Sequence, residues 1–298
     1  MSFSFVRDYL KLHFVVLIWG FTAVLGKLIE LSATQVVLYR SAAAAVILFA
    51  LLPRRAAVSK PLAAALLVNG MLVGAHWILF FLAVKIANVS ICMIGMATTS
   101  FWTALLEPIL IRKVRFQWGN LLLGCVVIAA VYWIYRSETR FHYGLLVALV
   151  GAVVATLFSI INGLFAGKVH PQSVVMYEMA GAGVFCGLAL ITADAFGVPL
   201  DSDRYLPTSL EWLWLAILVL AGTVLAYQIY VELLDRLSVF TINFANNLEP
   251  VYGISLGALF FGDHELLGSR FYAGTLVILA AVIVQPWLMK TERTPGAE

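Results

Sequence analysis

One carboxylate, Glu249, lies near the middle of an apolar stretch that runs from 239 to 261, and Pro250 follows it. The stretch is about as long as a helix that crosses a bilayer, and an ionisable side chain at that depth usually has a function. His76 lies at a similar depth in the stretch from 62 to 84. Burial favours the neutral form of a carboxylic acid, whereas an imidazole accepts a proton near neutral pH. The pair indicates a proton relay or a site for a cationic substrate group, the alternative being structural hydrogen bonds inside the protein.

Three asparagines precede Glu249 on the same stretch. The helical spacing of three or four places Asn243, Asn246 or Asn247, and Pro250 along one stripe. Amides offer both donors and acceptors, which suits a polar solute or the two ends of a zwitterion, although they also join helices to each other. Because the stripe is too polar to face lipid, it predicts the lining of a cavity.

Hydroxyl, amide and aromatic side chains occur on five other apolar stretches. Serine and threonine often hydrogen-bond to their own helix backbone, and aromatic rings either stack on a substrate or cation or pack against lipid. The candidate substrate-binding residues are Trp19, His76, Trp77, Thr99, Thr103, Ser159, Asn162, Tyr227, Tyr230, Asn243, Asn246, Asn247 and Glu249, and the candidate proton-coupling residues are Glu249 and His76.

Signals for enzymatic chemistry are weak. The run from Gly253 to Gly257 matches the string of a hydrolase nucleophile elbow, but that motif needs a strand, a sharp turn and a helix around the serine. The histidines and acidic residues show no metal-ligand spacing, and no phosphate-binding glycine loop is present. We therefore expect no metal, no cofactor and no enzymatic activity. A membrane enzyme with a lipid-like substrate and a passive channel are the alternatives.

Ten apolar stretches dominate the chain. Hydrophobic residues make up 62% of it and charged residues 12%, about half the charge of a typical soluble domain. We therefore expect no large soluble domain and no nucleotide-binding module, and we expect a gradient to supply any energy. Strands are disfavoured because the stretches lack the alternation of a membrane barrel. The sequence predicts an all-α integral membrane protein with ten transmembrane helices at 10–30, 34–52, 62–84, 87–111, 117–135, 143–167, 172–193, 211–233, 239–261 and 269–289.

Basic residues are unevenly divided between alternate loops, and cytoplasmic loops retain the excess. We expect both termini in the cytoplasm and the protein in the cell membrane, which is the inner membrane in a bacterium. A nucleic-acid surface is disfavoured because these charges lie beside helix ends. The cytoplasmic set is Arg7, Lys11, Arg54, Arg55, Lys60, Arg112, Lys113, Arg115, Lys168, Arg236, Lys290 and Arg293, against Lys85, Arg136, Arg140, Arg204 and Arg270 on the other side.

Most other charges are predicted to be shallow. Arg40 is expected near the outer surface, paired with Glu30. Glu178 occupies the corresponding position in the second half of the chain and is expected near the inner surface, paired with Lys168 or Arg236. Shallow charges of this kind commonly reach the interface or pair locally, so they predict a structural role.

The second half of the chain weakly repeats the first. A shift of 150 positions without a gap places Thr99 opposite Glu249 and aligns the ends of the fourth and fifth stretches with those of the ninth and tenth. Because five is odd, the second unit enters the membrane from the opposite face, as in many secondary transporters. The sequence predicts two inverted five-helix repeats at 1–140 and 141–298.

The motif Leu248-Glu249-Pro250-Val-Tyr-Gly, the run Gly274-Thr-Leu-Val-Ile-Leu-Ala and the pair Trp19-Gly20 resemble the EamA-like branch of the Drug/Metabolite Transporter superfamily, over essentially the whole chain. The resemblance implies ten helices in two inverted repeats. It also implies a substrate cavity lined mainly by helices one, three, four, six, eight and nine, with the last helix of each repeat at the periphery. Leu106-Glu107-Pro108 is not the repeat partner of the ninth-stretch motif, so the family's mid-helix role is carried only to Glu249.

The residues and the resemblance together predict a secondary transporter that works by alternating access. Its expected substrate is a small polar or amphipathic metabolite, such as an amino acid or a related compound. Export is the expected direction, and uptake is the alternative. Its expected partners are this small molecule, protons and the lipid bilayer, without nucleic acid.

Overall fold

A computed structural model describes residues 3–51, 58–196 and 204–288, and these residues form helices without any strand. The prediction of an all-α fold is confirmed for this part of the chain. The helices are α1 (Phe3–Leu28), α2 (Ala33–Leu51), α3 (Lys60–Ile86), α4 (Val89–Met96), α5 (Thr99–Leu110), α6 (Trp118–Ser137), α7 (His142–Phe165), α8 (Pro171–Ala195), α9 (Ser209–Val219), α10 (Ala226–Leu234), α11 (Val239–Ala245), α12 (Glu249–Phe261) and α13 (Ser269–Leu288).

Eight helical units of the described residues are long and apolar enough to cross a membrane, which confirms a multi-pass membrane protein. They contain α1 to α10, with α4 and α5 joined in one unit and α9 and α10 in another. The unit from Val239 to Phe261, which carries the three asparagines and Glu249, is not among the eight, and Ser269–Ala281 is a shorter apolar helix. Ten spans therefore remain a prediction, and the predicted ends at 52 and 289 lie outside the described residues.

The cytoplasmic position of both termini also remains a prediction. Of the basic residues that support it, Arg54, Arg55, Lys290 and Arg293 lie outside the part of the chain that the structure describes.

Two helical units are interrupted at corresponding places. A turn at 97–98 separates α4 from α5, and the 3₁₀ turn Asn246–Leu248 separates α11 from α12. The shift of 150 positions maps 246–248 onto 96–98, so the two interruptions coincide in the repeat. Pro250 lies in the first turn of α12, where the missing N–H needs no partner. A third unit contains the π-helical turn Leu220–Leu225 between α9 and α10.

The third span of each half packs against helices of the other half. From the first half, α3 packs against α7 and α8 of the second half. From the second half, α9 and α10 pack against α1 and α2 of the first half. Since the third span corresponds to the eighth, and the first and second to the sixth and seventh, a twofold relation between the halves would produce these same contacts. The helices α6 and α13 pack on each other.

Close approach of α3 and α8 depends on glycine. A Cβ atom built on Gly70 would collide with the backbone of Glu178, and one built on Gly74 would lie 3.1 Å from the Cα atom of Ala182. Small residues at such crossings let two membrane helices come within backbone contact. These two glycines therefore fix the separation of α3 and α8.

We expect Gly70→Ala to lower the free energy of unfolding by about 1 to 3 kcal/mol, because the added methyl group has no space and forces α3 away from α8. Thermal unfolding of the purified protein in detergent measures the change. The matched control is Gly187→Ala on α8, where nothing lies within 4 Å of the added carbon and alanine is the better helix former. Equal melting temperatures for the two variants would show that this crossing is not tightly packed.

Candidate functional site

A cavity of about 690 Å³, counting the space at its mouth, lies between the two halves of the described chain. The helices α1, α2, α3, α4, α5, α7, α10, α11 and α12 supply side chains to it. The lining residues are Trp19, Thr22, Arg40, His76, Trp77, Phe80, Met96, Thr99, Ala155, Phe158, Ser159, Tyr227, Tyr230, Asn243, Asn246 and Glu249.

Ten of the residues predicted from the sequence line this one cavity. Their function in binding stays a prediction, but the structure brings them together from both halves. They are Trp19, His76, Trp77, Thr99, Ser159, Tyr227, Tyr230, Asn243, Asn246 and Glu249. Six lining residues were missing from the predicted set, namely Thr22, Arg40, Phe80, Met96, Ala155 and Phe158.

Three predicted residues lie outside the lining and hydrogen-bond to neighbouring groups instead. The hydroxyl of Thr103 donates to the carbonyl of Thr99 at 2.8 Å and accepts from the amide of Asn243 at 3.0 Å. The amide of Asn247 donates to the hydroxyl of Ser100 at 3.0 Å. Thr103 and Asn247 thus join α5 to the α11–α12 unit, which is the role in helix contact that the sequence left open for amide and hydroxyl side chains. Asn162 is the third residue outside the lining.

Asn162 belongs to a buried network around Glu178, a fully buried residue of α8. The carboxylate accepts hydrogen bonds from Asn69 of α3 at 2.6 Å, from the hydroxyl of Tyr227 at 2.7 Å and from Asn162 of α7 at 3.4 Å. Asn69 also donates to Asn162 at 3.0 Å. Neutral donors from three helices therefore satisfy this acid.

The predicted pairing of Glu178 with Lys168 or Arg236 is wrong. Arg236 pairs with Asp8 at 2.9 Å and with Glu232 at 2.8 Å, and the ammonium of Lys168 donates to a carbonyl four residues earlier. The hydrogen bond to Glu232, followed by the charge of Asp8, raises the pKa of Arg236 above its usual value. The carboxylate of Glu178 turns toward α3, α7 and α10, a direction that its position along the sequence does not reveal.

Arg40 of α2 lies in the cavity wall, with 2% of its surface exposed. Its Nε donates to the hydroxyl of Thr223 at 2.6 Å, and its Nη2 donates to the carbonyl of Gly222 at 3.2 Å. Its guanidinium carbon lies 3.6 Å from the centre of the Trp77 ring, within the range of a cation–π interaction. The π-helical turn between α9 and α10 thus anchors this arginine.

The predicted pair between Arg40 and Glu30 is wrong as well. Glu30 pairs with Arg204 at 3.1 Å, and Arg204 also contacts Glu211 at 3.1 Å. Arg204 precedes α9 in a nonhelical segment, where nothing in the sequence indicates its direction. A charge inside an apolar stretch was the one signal that could have placed Arg40 in the site.

Glu249 is the first residue of α12, where the positive end of the helix dipole favours a carboxylate. None of the hydrogen bonds among the described residues involves its side chain, and the amide oxygen of Asn246, which precedes it by one helical turn, is buried without a partner. His76 Nδ1 lies 3.0 Å from the carbonyl oxygen of Gly151. Because a carbonyl only accepts, Nδ1 carries the hydrogen in this contact.

Four aromatic rings join three helices in the cavity wall. Tyr227 and Tyr230 stack with their centres 5.3 Å apart, Trp19 lies 5.4 Å from Tyr230, and Trp77 lies 6.1 Å from Tyr227. Such a wall accepts apolar groups and cations alike. The cavity therefore combines an acid, a guanidinium group, amides and aromatic surface.

The model of the EamA-like transporter family matches residues 9–136 of this chain and again residues 142–285. A solved structure, described only as "Crystal structure of protein", is 14% identical to the chain. The match covers 97% of this chain and 99% of that chain, with a TM-score of 0.66, which shows a shared fold. Comparison with curated proteins gives no match.

We expect Tyr227→Phe to destabilise the protein by about 1 to 3 kcal/mol, because a buried carboxylate oxygen of Glu178 loses its shorter hydrogen bond while the ring keeps its packing. Thermal unfolding in detergent measures the effect. Tyr132→Phe is the control, since that side chain is exposed on α6. If both variants melt like the wild type, the hydroxyl of Tyr227 does not contribute to holding Glu178.

Proposed function

The chain belongs to the EamA-like transporter family, and from this membership we propose that it is a secondary transporter that exports a small polar or amphipathic metabolite across the cell membrane. The observation that carries the proposal is the cavity, whose lining comes from both halves of the chain. An amino acid or a related compound is the substrate class that its amides, aromatic rings and single acid suit best.

The proposed architecture has ten spans, both termini in the cytoplasm and two inverted repeats at 1–140 and 141–298. Three observations support it. The family model matches the chain twice, and the interruptions at 97–98 and 246–248 correspond under the shift of 150 positions. In addition, the third span of each half packs against the first and second helices of the other half. Interrupted helices at matching positions commonly mark the binding site of such transporters.

Alternating access follows from this symmetry. Two equivalent halves that exchange conformations would open the cavity first to one side of the membrane and then to the other. The cavity walls from α3 and α7 and those from α1 and α10 would then rock about a bound substrate.

We assign the amino group of the substrate to the end of the cavity near Glu249. The carboxylate of Glu249 and the unpaired amide oxygen of Asn246 are both acceptors, and an ammonium group brings three donors. The aromatic wall of Trp19, Tyr227 and Tyr230 is available for an apolar side chain.

Proton coupling is assigned to Glu249 and His76. Glu249 has no hydrogen-bond partner among the described residues that would hold it in one charge state, and His76 lines the same cavity. A carboxylic acid that loses its proton when an ammonium group binds would exchange one cation for another, which links transport to a proton gradient.

The transport function is tested by counterflow. Purified protein is reconstituted in liposomes that are preloaded with unlabelled amino acids, and labelled amino acid is added outside. We expect transient, saturable accumulation of label for the transported compounds, because a carrier exchanges bound substrate across the membrane. Flux that rises linearly with concentration, without accumulation, would indicate a passive channel instead.

Proton coupling is tested with Glu249→Gln. We expect counterflow to persist at saturating substrate with a weaker apparent affinity, because the amide keeps the shape of the side chain but not the charge that faces the ammonium group. We expect the accumulation driven by an imposed pH gradient to be lost. Glu265→Gln, at an exposed position after α12, is the matched control and should keep the gradient response. Full gradient dependence in Glu249→Gln would remove this carboxylate as the coupling site.

A further inference from the structure

Arg40 enters the cavity from α2, the second helix of the chain. The family resemblance implies a cavity lined mainly by helices one, three, four, six, eight and nine. In this chain the second helix also contributes a lining residue. With 2% of its surface exposed, the guanidinium is almost completely withdrawn from solvent. Because Arg40 lines the cavity, a molecule bound there can contact its side chain although bulk solvent does not.

The positive charge of Arg40 has no acidic partner. None of the ion pairs among the described residues includes it, and its hydrogen-bond acceptors are the neutral hydroxyl of Thr223 and the neutral carbonyl of Gly222. Burial of an unpaired charge is costly, and a cation–π contact offsets only part of that cost. An anion that entered the cavity would supply the missing charge.

The guanidinium also retains unused donors. It has five N–H groups in a plane, and the two hydrogen bonds to Thr223 and Gly222 use one on Nε and one on Nη2. Among the described residues, no hydrogen bond uses the three that remain. Trp77 covers one face of the guanidinium group, so the edge of the group remains open. Such an edge binds a carboxylate through two parallel hydrogen bonds.

The corresponding residue of the second half does not balance this charge. Glu178 is fully buried outside the cavity lining, and Asn69, Asn162 and Tyr227 satisfy it. The other charged residue of the lining is Glu249, and the two form no ion pair. Arg40 therefore gives the cavity a positive site separate from its acidic one.

We propose that the substrate carries a carboxylate and that Arg40 binds it. The inference rests on the proposed transport function and narrows it, because neutral and purely cationic metabolites are then excluded. The edge of the guanidinium receives the two carboxylate oxygens, while Thr223, Gly222 and Trp77 hold the group in place.

A structural brace between α2 and the turn at Leu220–Leu225 is the alternative function of Arg40. A brace would affect stability and all ligands equally. A carboxylate site would affect ligands according to whether they carry that group, so the experiment compares pairs of ligands that differ in this group alone.

The test measures binding to the purified full chain in detergent by titration calorimetry. The probes are the twenty L-amino acids and, for each that binds, its carboxamide, which keeps the ammonium group and lacks the negative charge. In the wild type we expect the carboxamide to bind about tenfold more weakly or worse, the loss that follows from removing charge-assisted hydrogen bonds.

Arg40→Gln should reduce this preference to less than about twofold, and Arg40→Lys, which keeps the charge without the planar fork, should fall between the two. Arg136→Gln, at an exposed position near the end of α6, is the matched control and should keep the wild-type ratio. If Arg40→Gln does not fold, the wild-type pairs and Arg40→Lys decide the question.

Three results would overturn the proposal: equal binding of acid and carboxamide by the wild type, no binding of any amino acid, or an undiminished preference in a folded Arg40→Gln. Counterflow on the same preparation distinguishes a failure of the transport function from a failure of the carboxylate site at Arg40. Transport without preference for a carboxylate would leave the transport function intact and remove the site at Arg40. Carboxylate-selective binding without counterflow would keep this site and remove the transport function.

Discussion

Backbone groups that leave a helix inside a membrane must find hydrogen-bond partners in the protein, because hydrocarbon supplies none. At the interruption after α4, three consecutive hydroxyls meet this requirement. Thr98, Thr99 and Ser100 donate to the carbonyl oxygens of the residues three positions earlier, at 2.8, 2.7 and 3.2 Å. The corresponding turn before α12 is rich in asparagine and starts a new helix at Glu249. The first interruption therefore explains the hydroxyl residues around it, and the second explains the position of the acid at a helix N-terminus.

The same constraint governs the two most buried charged residues of the described chain. Arg40 and Glu178 occupy corresponding positions, and each hydrogen-bonds to a helix of the other half, Arg40 to the turn before α10 and Glu178 to Asn69 of α3. Position and partner helix are thus the same in the two halves, while the sign of the charge is opposite. Because donors enclose the acid and the arginine lines the cavity, equivalent contacts between helices give the cavity an asymmetric distribution of charge.

Hydropathy and spacing are sufficient to find the eight helical units that are long and apolar enough to cross a membrane, since the length of an apolar run is a property of the sequence alone. A fixed shift of 150 positions also located Thr99 opposite Glu249, and both begin a helix after an interruption. Sequence position gives the depth of a side chain but not the direction in which it points. The partners assigned to Arg40 and Glu178 were wrong for that reason, and Arg204 binds Glu30 from a segment whose path no periodicity predicts.

Tyr227 connects the cavity to the buried network on the other side of its wall. Its ring stacks on Tyr230 in the cavity, and its hydroxyl lies 2.7 Å from the carboxylate of Glu178. A ligand shifts a conformational equilibrium only as far as it interacts differently with the two states. A molecule that displaces this ring must also lengthen a hydrogen bond to a fully buried acid, whose loss is costly. Occupancy of the cavity and the packing of α3, α7 and α8 are therefore linked through the side chain of Tyr227.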